Sequence, residues 1–462
     1  MSKKSDALLA SIREGRPLTN ADKLNLIIGL SIPSMLAQIT NVLMFFIDAS
    51  MVGHLGAEAS ASIGLIETTT WLMGSVMGAL SMGFSVQVAH FIGANDFTKA
   101  RQVFRHGLIC GALVSLLICA IGVSIHVPLP YWLGGGADIA PDSSRYFLIY
   151  SLTLPFVMLF HISASMLKSA GNMHTPSVLS ILMCVFDVAF NYLFIYMLNL
   201  GVMGAAIGTA CAYIATSMPM AYMAMWRSKI LALNLDRERF RWNWNYVQNA
   251  LKISLPIAVQ SFLMSGAQVV STLIVAPLGN IAIAANSFAI TAESLCYMPG
   301  YGIGDAATTL VGQTHGANRL DLCKNFAYMT VGIGMLVMTF MGVVMYIFAP
   351  EMIGILSPVE DIRRLGAEVL RIEAFAEPFF AAAIVTASVC IGAGDTLRPA
   401  MINLFSMWFV RLTTAALLAP HYGLRGVWIA MACELTFRGT LFLIRLFSGK
   451  WMKGFSVAPA TK

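Results

Sequence analysis

Twelve apolar runs, each about twenty residues or longer, constrain this chain more than any other feature. They lie near 25–52, 61–92, 105–128, 144–167, 177–200, 203–226, 249–277, 284–313, 325–348, 366–391, 399–419 and 425–447. A run of that length crosses the hydrocarbon of a bilayer as a helix. In lipid every backbone polar group must be satisfied within the protein, so runs of this kind specify helices. The expected fold class is therefore an all-α polytopic membrane protein. Composition agrees: 58% of the 462 residues are apolar and only 11% are charged, far from the balance of a soluble domain.

The placement of the bases decides what the net charge of +6 means. Lys3, Lys4, Arg13, Arg16 and Lys23 precede the first run, and Lys99, Arg101 and Arg105 follow the second. Arg227, Lys229, Arg237, Arg239 and Arg241 lie between the sixth and seventh, Arg319 and Lys324 after the eighth, and Lys450 and Lys453 after the twelfth. Alternate loops are almost free of bases, Arg363 and Arg364 being the main exception. This asymmetry predicts cytoplasmic N- and C-termini in an inner (plasma) membrane, and it gives no reason to expect nucleic acid as a partner. Residues 1–24 are polar and basic without the apolar stretch of a signal peptide, so the first helix is expected to direct insertion. The eight cysteines lack CxxC pairing or metal-type spacing and read as small buried hydrophobes.

The chain is also a repeat. Pro33 pairs with Pro256, Gly56 with Gly279, Gly93 with Gly316, Pro155 with Pro378, Gly171 with Gly394 and Pro176 with Pro399, each pair 223 residues apart. The segment ASMLKSAGNMHTP at 164–176 answers ASVCIGAGDTLRP at 387–399, and GVMGAA at 201–206 answers GLRGVW at 423–428 after a one-residue slip. Six helices per repeat is an even number, so both halves insert in the same sense, giving two pseudo-symmetric six-helix bundles. The predicted organisation is an N-terminal segment (1–24), an N-lobe (25–227), a cytoplasmic linker (228–248), a C-lobe (249–452) and a tail (453–462). The linker interleaves bases with Trp242 and Trp244, which reads as an interfacial anchor.

The chain carries no GxxxxGK[ST] loop, no HExxH and no GxSxG elbow, so neither an ATP site nor hydrolytic chemistry is indicated. Intramembrane ionisable groups become the informative set, because such residues usually face a bundle interior or a wet cavity. In the first half these are Asp48, Glu67 and Asp187; in the second, Glu293, Asp305, Glu373, Glu377, Arg411, Glu434 and Arg438. The halves are not duplicates: Asp48 maps onto Ser271, Asp187 onto Val410 and Thr209 onto Met431. Asp187 and Asn191 share one helix face. Together with Asp48 and Thr209 they offer several oxygens to a hard cation such as Na+, or to a shared proton. The alternative is a set of structural polar contacts among helices one, five and six. Glu293, Glu377, Arg411 and Glu434 divide between substrate or proton work and structural pairing, and Glu434 with Arg438 is spaced for an intrahelical ion pair. Glu67, Asp305 and Glu373 lie closer to helix ends and are expected to be structural.

Several stretches resemble the multidrug and toxic compound extrusion transporters: FIDASMVGHLGAEASASIGL (46–65), GFSVQVAHFIGAND (83–96), AESLCYMPGYGIGDAATTLVGQTHGAN (292–318), IGAGDTLRP (391–399) and WFVRLTTAALL (408–418). The resemblance runs from about residue 25 to 452. It implies two six-helix bundles around a V-shaped cavity, alternating access, and export of amphipathic, often cationic, small molecules in exchange for Na+ or H+, with no enzymatic activity and no cofactor beyond the coupling ion. By position, Asp48 is similar to the family's helix-one carboxylate, and Asp187, Asn191 and Thr209 to its partners in helices five and six. One branch places a glutamate in helix seven where this chain has Met264, which turns attention to the first lobe for ion coupling and leaves Met264 to the substrate. A monomer is expected. The rival within transport is a flippase or exporter of a lipid-linked or polar substrate, which a broad basic cavity would favour; a membrane-embedded enzyme or receptor finds no supporting motif.

Overall fold

The computed structural model describes residues 3–236 and 239–454, and among them it is all helix with no strand. In chain order, α1 is Lys3–Arg13, α2 Asn20–Gly53, α3 Ala57–Gly93, α4 Phe97–Ile125, α5 the single turn Leu129–Trp132, α6 Ala140–Ser169, α7 His174–Asn191 and α8 Gly201–Tyr222. The second half continues with α9 Trp244–Val275, α10 Asn280–Gly316, α11 Leu320–Leu356, α12 Glu360–Ala374, α13 Glu377–Gly392, α14 Leu397–Phe405, α15 Leu412–Tyr422 and α16 Leu424–Phe447. Three π-helical segments, Tyr192–Met197, Met223–Arg227 and Ser406–Arg411, extend α7, extend α8 and join α14 to α15.

Eleven helices, or helices with their extensions, are long and apolar enough to cross a membrane among the described residues. A twelfth span is completed by α12 and α13 together, bent by 60°. The straight helix expected over 366–391 is thus broken, and Pro378 supplies the reason: its ring excludes the carbonyl four residues back, at Ala374, where α12 ends. Outward faces are apolar, as lipid contact requires, with Leu113, Leu336 and Ile355 all more than 60% exposed.

The sequence repeat is repeated in the backbone. Gly56 and Gly279 start α3 and α10 at φ 115 and 102°, Gly171 and Gly394 turn at 86 and 82°, and Asn95 and Asn318 adopt left-handed φ of 60 and 56°. Such values are open to glycine and tolerated by asparagine, which explains why these residue types recur at a fixed offset.

The chain nevertheless divides into compact units that differ from the repeat halves. One unit is built on Thr40–Ala258, the other on the chain before Thr40 together with the chain from Val259 onwards. The divisions fall inside α2 and α9, away from the 228–248 linker, so each unit keeps the first part of the other half's leading helix. In the first unit Gly83 of α3 backs onto the Ala250 carbonyl of α9 so closely that a Cβ would sit 2.5 Å from that oxygen. In the second, Gly302 of α10 presses on the Met35 backbone of α2, and Asp305 accepts a 2.6 Å hydrogen bond from Ser34 and a longer one from Gln38. Asp305 thus joins α10 to α2. Helix α1, within the segment expected before helix one, docks in the second unit with Leu9 and Ile12 buried, and Arg319 donates to its last carbonyls at Ser11 and Ile12. Of the eight free cysteines, Cys184, Cys296, Cys323 and Cys390 are buried, whereas Cys110, Cys119 and Cys211 are half-buried and Cys433 is exposed, unlike the expectation of burial.

Candidate functional site

Two groups of carboxylate-bearing polar side chains, buried or half-buried, stand out in this apolar scaffold, one in each unit. The first is built on α2, α7 and α8. Asp187 is fully buried and Asn191, one turn later, is 2% exposed. The Asn191 amide donates one hydrogen to Asp48 Oδ1 at 3.0 Å and the other to Asp187 Oδ2 at 3.2 Å, so a single side chain bridges two carboxyl groups from different helices. Thr209 of α8 lies beside Asp187. The structure therefore brings together all four residues expected on the first-lobe site. Two acceptor atoms are left over, Asp187 Oδ1 and Asn191 Oδ1, both buried without a hydrogen-bond donor. Orphaned oxygens of this kind are costly unless a proton or cation meets them.

Local structure explains how the amide is held. Immediately after Asn191 the helix widens into the π segment Tyr192–Met197, a device common where a side chain must be re-aimed. The hydroxyl of Tyr196 donates to the Met51 carbonyl at 2.7 Å and ties this segment to the end of α2, close to Asp48. On the other side α8 brings Gly208 against the amide: a Cβ built there would stand 2.0 Å from Asn191 Oδ1. Gly208 is a site residue that sequence reasoning did not single out; its only signal is its place directly before Thr209.

The second cluster lies on α10, α12 and α13. Carboxylate oxygens of Glu293, Glu373 and Glu377 come within 4.8 Å of one another, and all three residues are buried. All four carboxyl oxygens of Glu373 and Glu377 lack a hydrogen-bond partner. Sequence position gave Glu373 a structural role near a helix end; it does lie in the last turn of α12, and the structure also makes it one of these three acids. The break at Pro378 is what does this, because it sets Glu373 in the last turn of α12 and Glu377 at the first residue of α13. Around them, Arg438 and Glu434 form a forked ion pair, Nε to Oε1 at 2.7 Å and a terminal nitrogen to Oε2 at 2.8 Å, as their spacing predicted. Arg411 sits among Glu434, Glu293 and Glu373 and donates to the Met431 sulfur. Met264 belongs to an apolar cluster with Ala267, Met407, Leu412 and Trp408. Glu67 belongs to neither cluster and is exposed on α3.

The MatE family model matches twice, over residues 33–193 and again over 256–417, once in each repeat. The chain belongs to the MatE family. Its members are transporters, not enzymes, and they handle small molecules across membranes, in keeping with the many apolar helices here. Among curated relatives it is 26% identical to a probable multidrug resistance protein NorM of Thermotoga maritima over 92% of this chain and 93% of that one. It is 24% identical to an uncharacterized transporter, YisQ, of Bacillus subtilis over 94% and 96% of the two chains. The fold matches a crystal structure of MATE in complex with MaL6 with a TM-score of 0.89 at 19% identity, covering 97% of this chain and all of that one. A MOP superfamily transporter from Pyrococcus furiosus is similar at a TM-score of 0.88 and 19% identity, over 98% and 100%.

Proposed function

We propose that this MatE transporter is a secondary antiporter that exports amphipathic or cationic small molecules in exchange for Na+ or H+, with both termini on the cytoplasmic side. The observation that carries the reading is the Asn191 amide bridging Asp48 and Asp187. Ionised carboxylates only accept hydrogen bonds, and two of them side by side repel. The amide satisfies one oxygen of each and leaves Asp187 Oδ1 and Asn191 Oδ1 open. A Na+ would take these oxygens, with Thr209 beside them, as hard ligands; a proton would sit on one carboxyl group and remove the repulsion. Loading and unloading this site on opposite sides of the membrane is the free-energy source, and the acid cluster of Glu293, Glu373 and Glu377 receives the positive charge of the exported compound. The basic groups near that cluster are engaged with Glu434 and Met431, which disfavours an anionic lipid headgroup there and with it the flippase alternative. Reconstitution into liposomes with separately imposed Na+ and pH gradients tests the reading: uptake of an organic cation should follow one of the two imposed gradients, and uptake indifferent to both overturns it.

A further inference from the structure

The linker between the repeats is pinned to α4. Arg101 donates to the Ile230 carbonyl at 2.9 Å and Arg105 to the Leu233 carbonyl at 3.1 Å, while Leu231 and Ala232 are buried. Its far end is held by His106, a fully buried side chain of α4. Nδ1 lies 2.7 Å from the Gln102 carbonyl, and Nε2 accepts the backbone N–H of Asn243 at 2.9 Å. A carbonyl can only accept and a backbone N–H can only donate. These partners therefore fix the neutral Nδ1–H tautomer, with Nε2 bare. The ring is packed among Phe240, Trp242 and Tyr246, with centroids 4.9–5.2 Å away.

We infer that His106 is a proton site that latches the linker to α4 and releases it when the imidazole is protonated. Adding a proton to Nε2 sets two N–H donors against each other, Nε2–H facing the Asn243 N–H inside an aromatic enclosure. The charged groups of α4 itself are Lys99, paired with Asp96 at the helix cap, and Arg101 and Arg105, both committed to linker carbonyls, Arg105 also lying 3.9 Å from Asp236. The linker adds Arg239 and Arg241, both exposed; α9 adds Tyr246, α3 adds His90 near its end and α6 adds Lys168. Among the described residues of this set the bases outnumber the acids, and Asp96 and Asp236 are each already paired with a base, Lys99 and Arg105. Asn243 also caps the start of α9, its side chain accepting from the Asn245 N–H at 3.0 Å, so release of the latch loosens the first turn of α9.

Hydrogen exchange of the full-length protein in nanodiscs, read on peptides covering 240–248 at pH 7.5 and 5.5 with intrinsic pH dependence removed, tests this. The wild type is expected to exchange about tenfold faster or more at pH 5.5, as loss of one buried hydrogen bond with an orphaned donor implies. His106→Gln, whose side-chain carbonyl accepts from the Asn243 N–H and does not titrate, should stay slow at both values; His106→Lys should be fast at both. Equal protection of the wild type at the two pH values overturns the inference, as does a His106→Gln protein that opens with acid like the wild type. If His106→Gln is not monodisperse, Asn243→Pro, which removes the donated N–H, serves instead: the linker should be open at both pH values, and a surviving acid-induced step overturns the inference. These readouts do not involve transport, so they stand or fall independently of the antiport reading.

Discussion

Laid over each other at the repeat offset, the two halves keep their polar chemistry at different addresses. Glu293, Glu373 and Glu377 of the second half correspond to Thr70, Tyr150 and Leu154 of the first, where the Tyr150 hydroxyl donates to the Thr70 carbonyl at 3.0 Å and no carboxylate occurs. Conversely, Asp48 and Asp187 correspond to Ser271 and Val410. Beside the position of Asp187 and Thr209, the second half has Arg411 donating to Met431. Turns such as Gly56/Gly279, Asn95/Asn318 and Gly171/Gly394 are shared, so a duplicated scaffold has been loaded with acids at two non-equivalent places. The environments differ too. The first cluster has an amide that binds both carboxyl groups; the second presents four buried carboxyl oxygens without a donor, with arginines nearby. On our reading the first holds a small ion of fixed coordination, and the second offers charge without fixed geometry, as suits variable organic cations.

The sharpest way to break this comparison is Asp48→Asn. It removes one of the two charges that Asn191 bridges while keeping the volume, and coupled export in cells should fall to the level of cells without the transporter at near-normal expression. Wild-type resistance to an exported compound would show that the first cluster is structural. A smaller loss is expected from Gly208→Ala, because the added Cβ runs into the Asn191 amide. Overpacking of this kind costs about 1–3 kcal/mol, and the apparent affinity for the coupling ion should drop along with thermal stability. The repeat equivalent of Gly208 is Ala430, fully buried with no amide bridge to protect. Ala430→Gly should therefore cost only about 1 kcal/mol of helix propensity and leave the ion response unchanged, as thermal melts and ion titrations of the two variants would reveal.

Glu373→Gln probes the other side. It lowers the charge of the second cluster and should raise KM for a cationic substrate about tenfold, equivalent to about 1.4 kcal/mol, while the ion dependence of transport is retained. Loss of the Na+ or pH response in this variant, with substrate KM intact, would reverse the division of labour between the clusters.

Much of this was legible in the sequence, for identifiable reasons. Apolar runs of membrane length, a 223-residue offset and residues such as Gly56 and Gly279 are local signals, and the structure follows them. Asp187 and Asn191 were legible as a pair because helical periodicity puts them on one face. Glu373 was not, because its position depends on whether Pro378 breaks the helix, and the equivalent Pro155 sits inside the unbroken α6. One proline at one repeat address has two outcomes, decided by packing and not by local sequence. Gly208 matters only because the Asn191 amide arrives from another helix. The allotment of the first parts of α2 and α9 to opposite units depends on close approaches at Gly83 and Gly302, and no periodicity records those.

The smallest effect is expected at Met264. On α9 it packs beside the π segment Ser406–Arg411, where the indole of Trp408 donates to the Leu263 carbonyl at 3.1 Å. A methionine there can reshape itself against different apolar ligands but holds neither a proton nor a cation. Met264→Ala removes flexible apolar volume next to Trp408, and because the side chain is only half-buried the stability cost should fall below the roughly 2–5 kcal/mol of a fully buried Met→Ala change. Relative KM values for bulky and compact substrates should therefore shift by a few-fold, while ion-dependence curves at saturating substrate superimpose on those of the wild type. A changed Na+ or pH response in Met264→Ala would mean that coupling reaches into α9 despite its lack of a carboxylate, and the contrast between an ion cluster in one half and a substrate surface in the other would have to be abandoned.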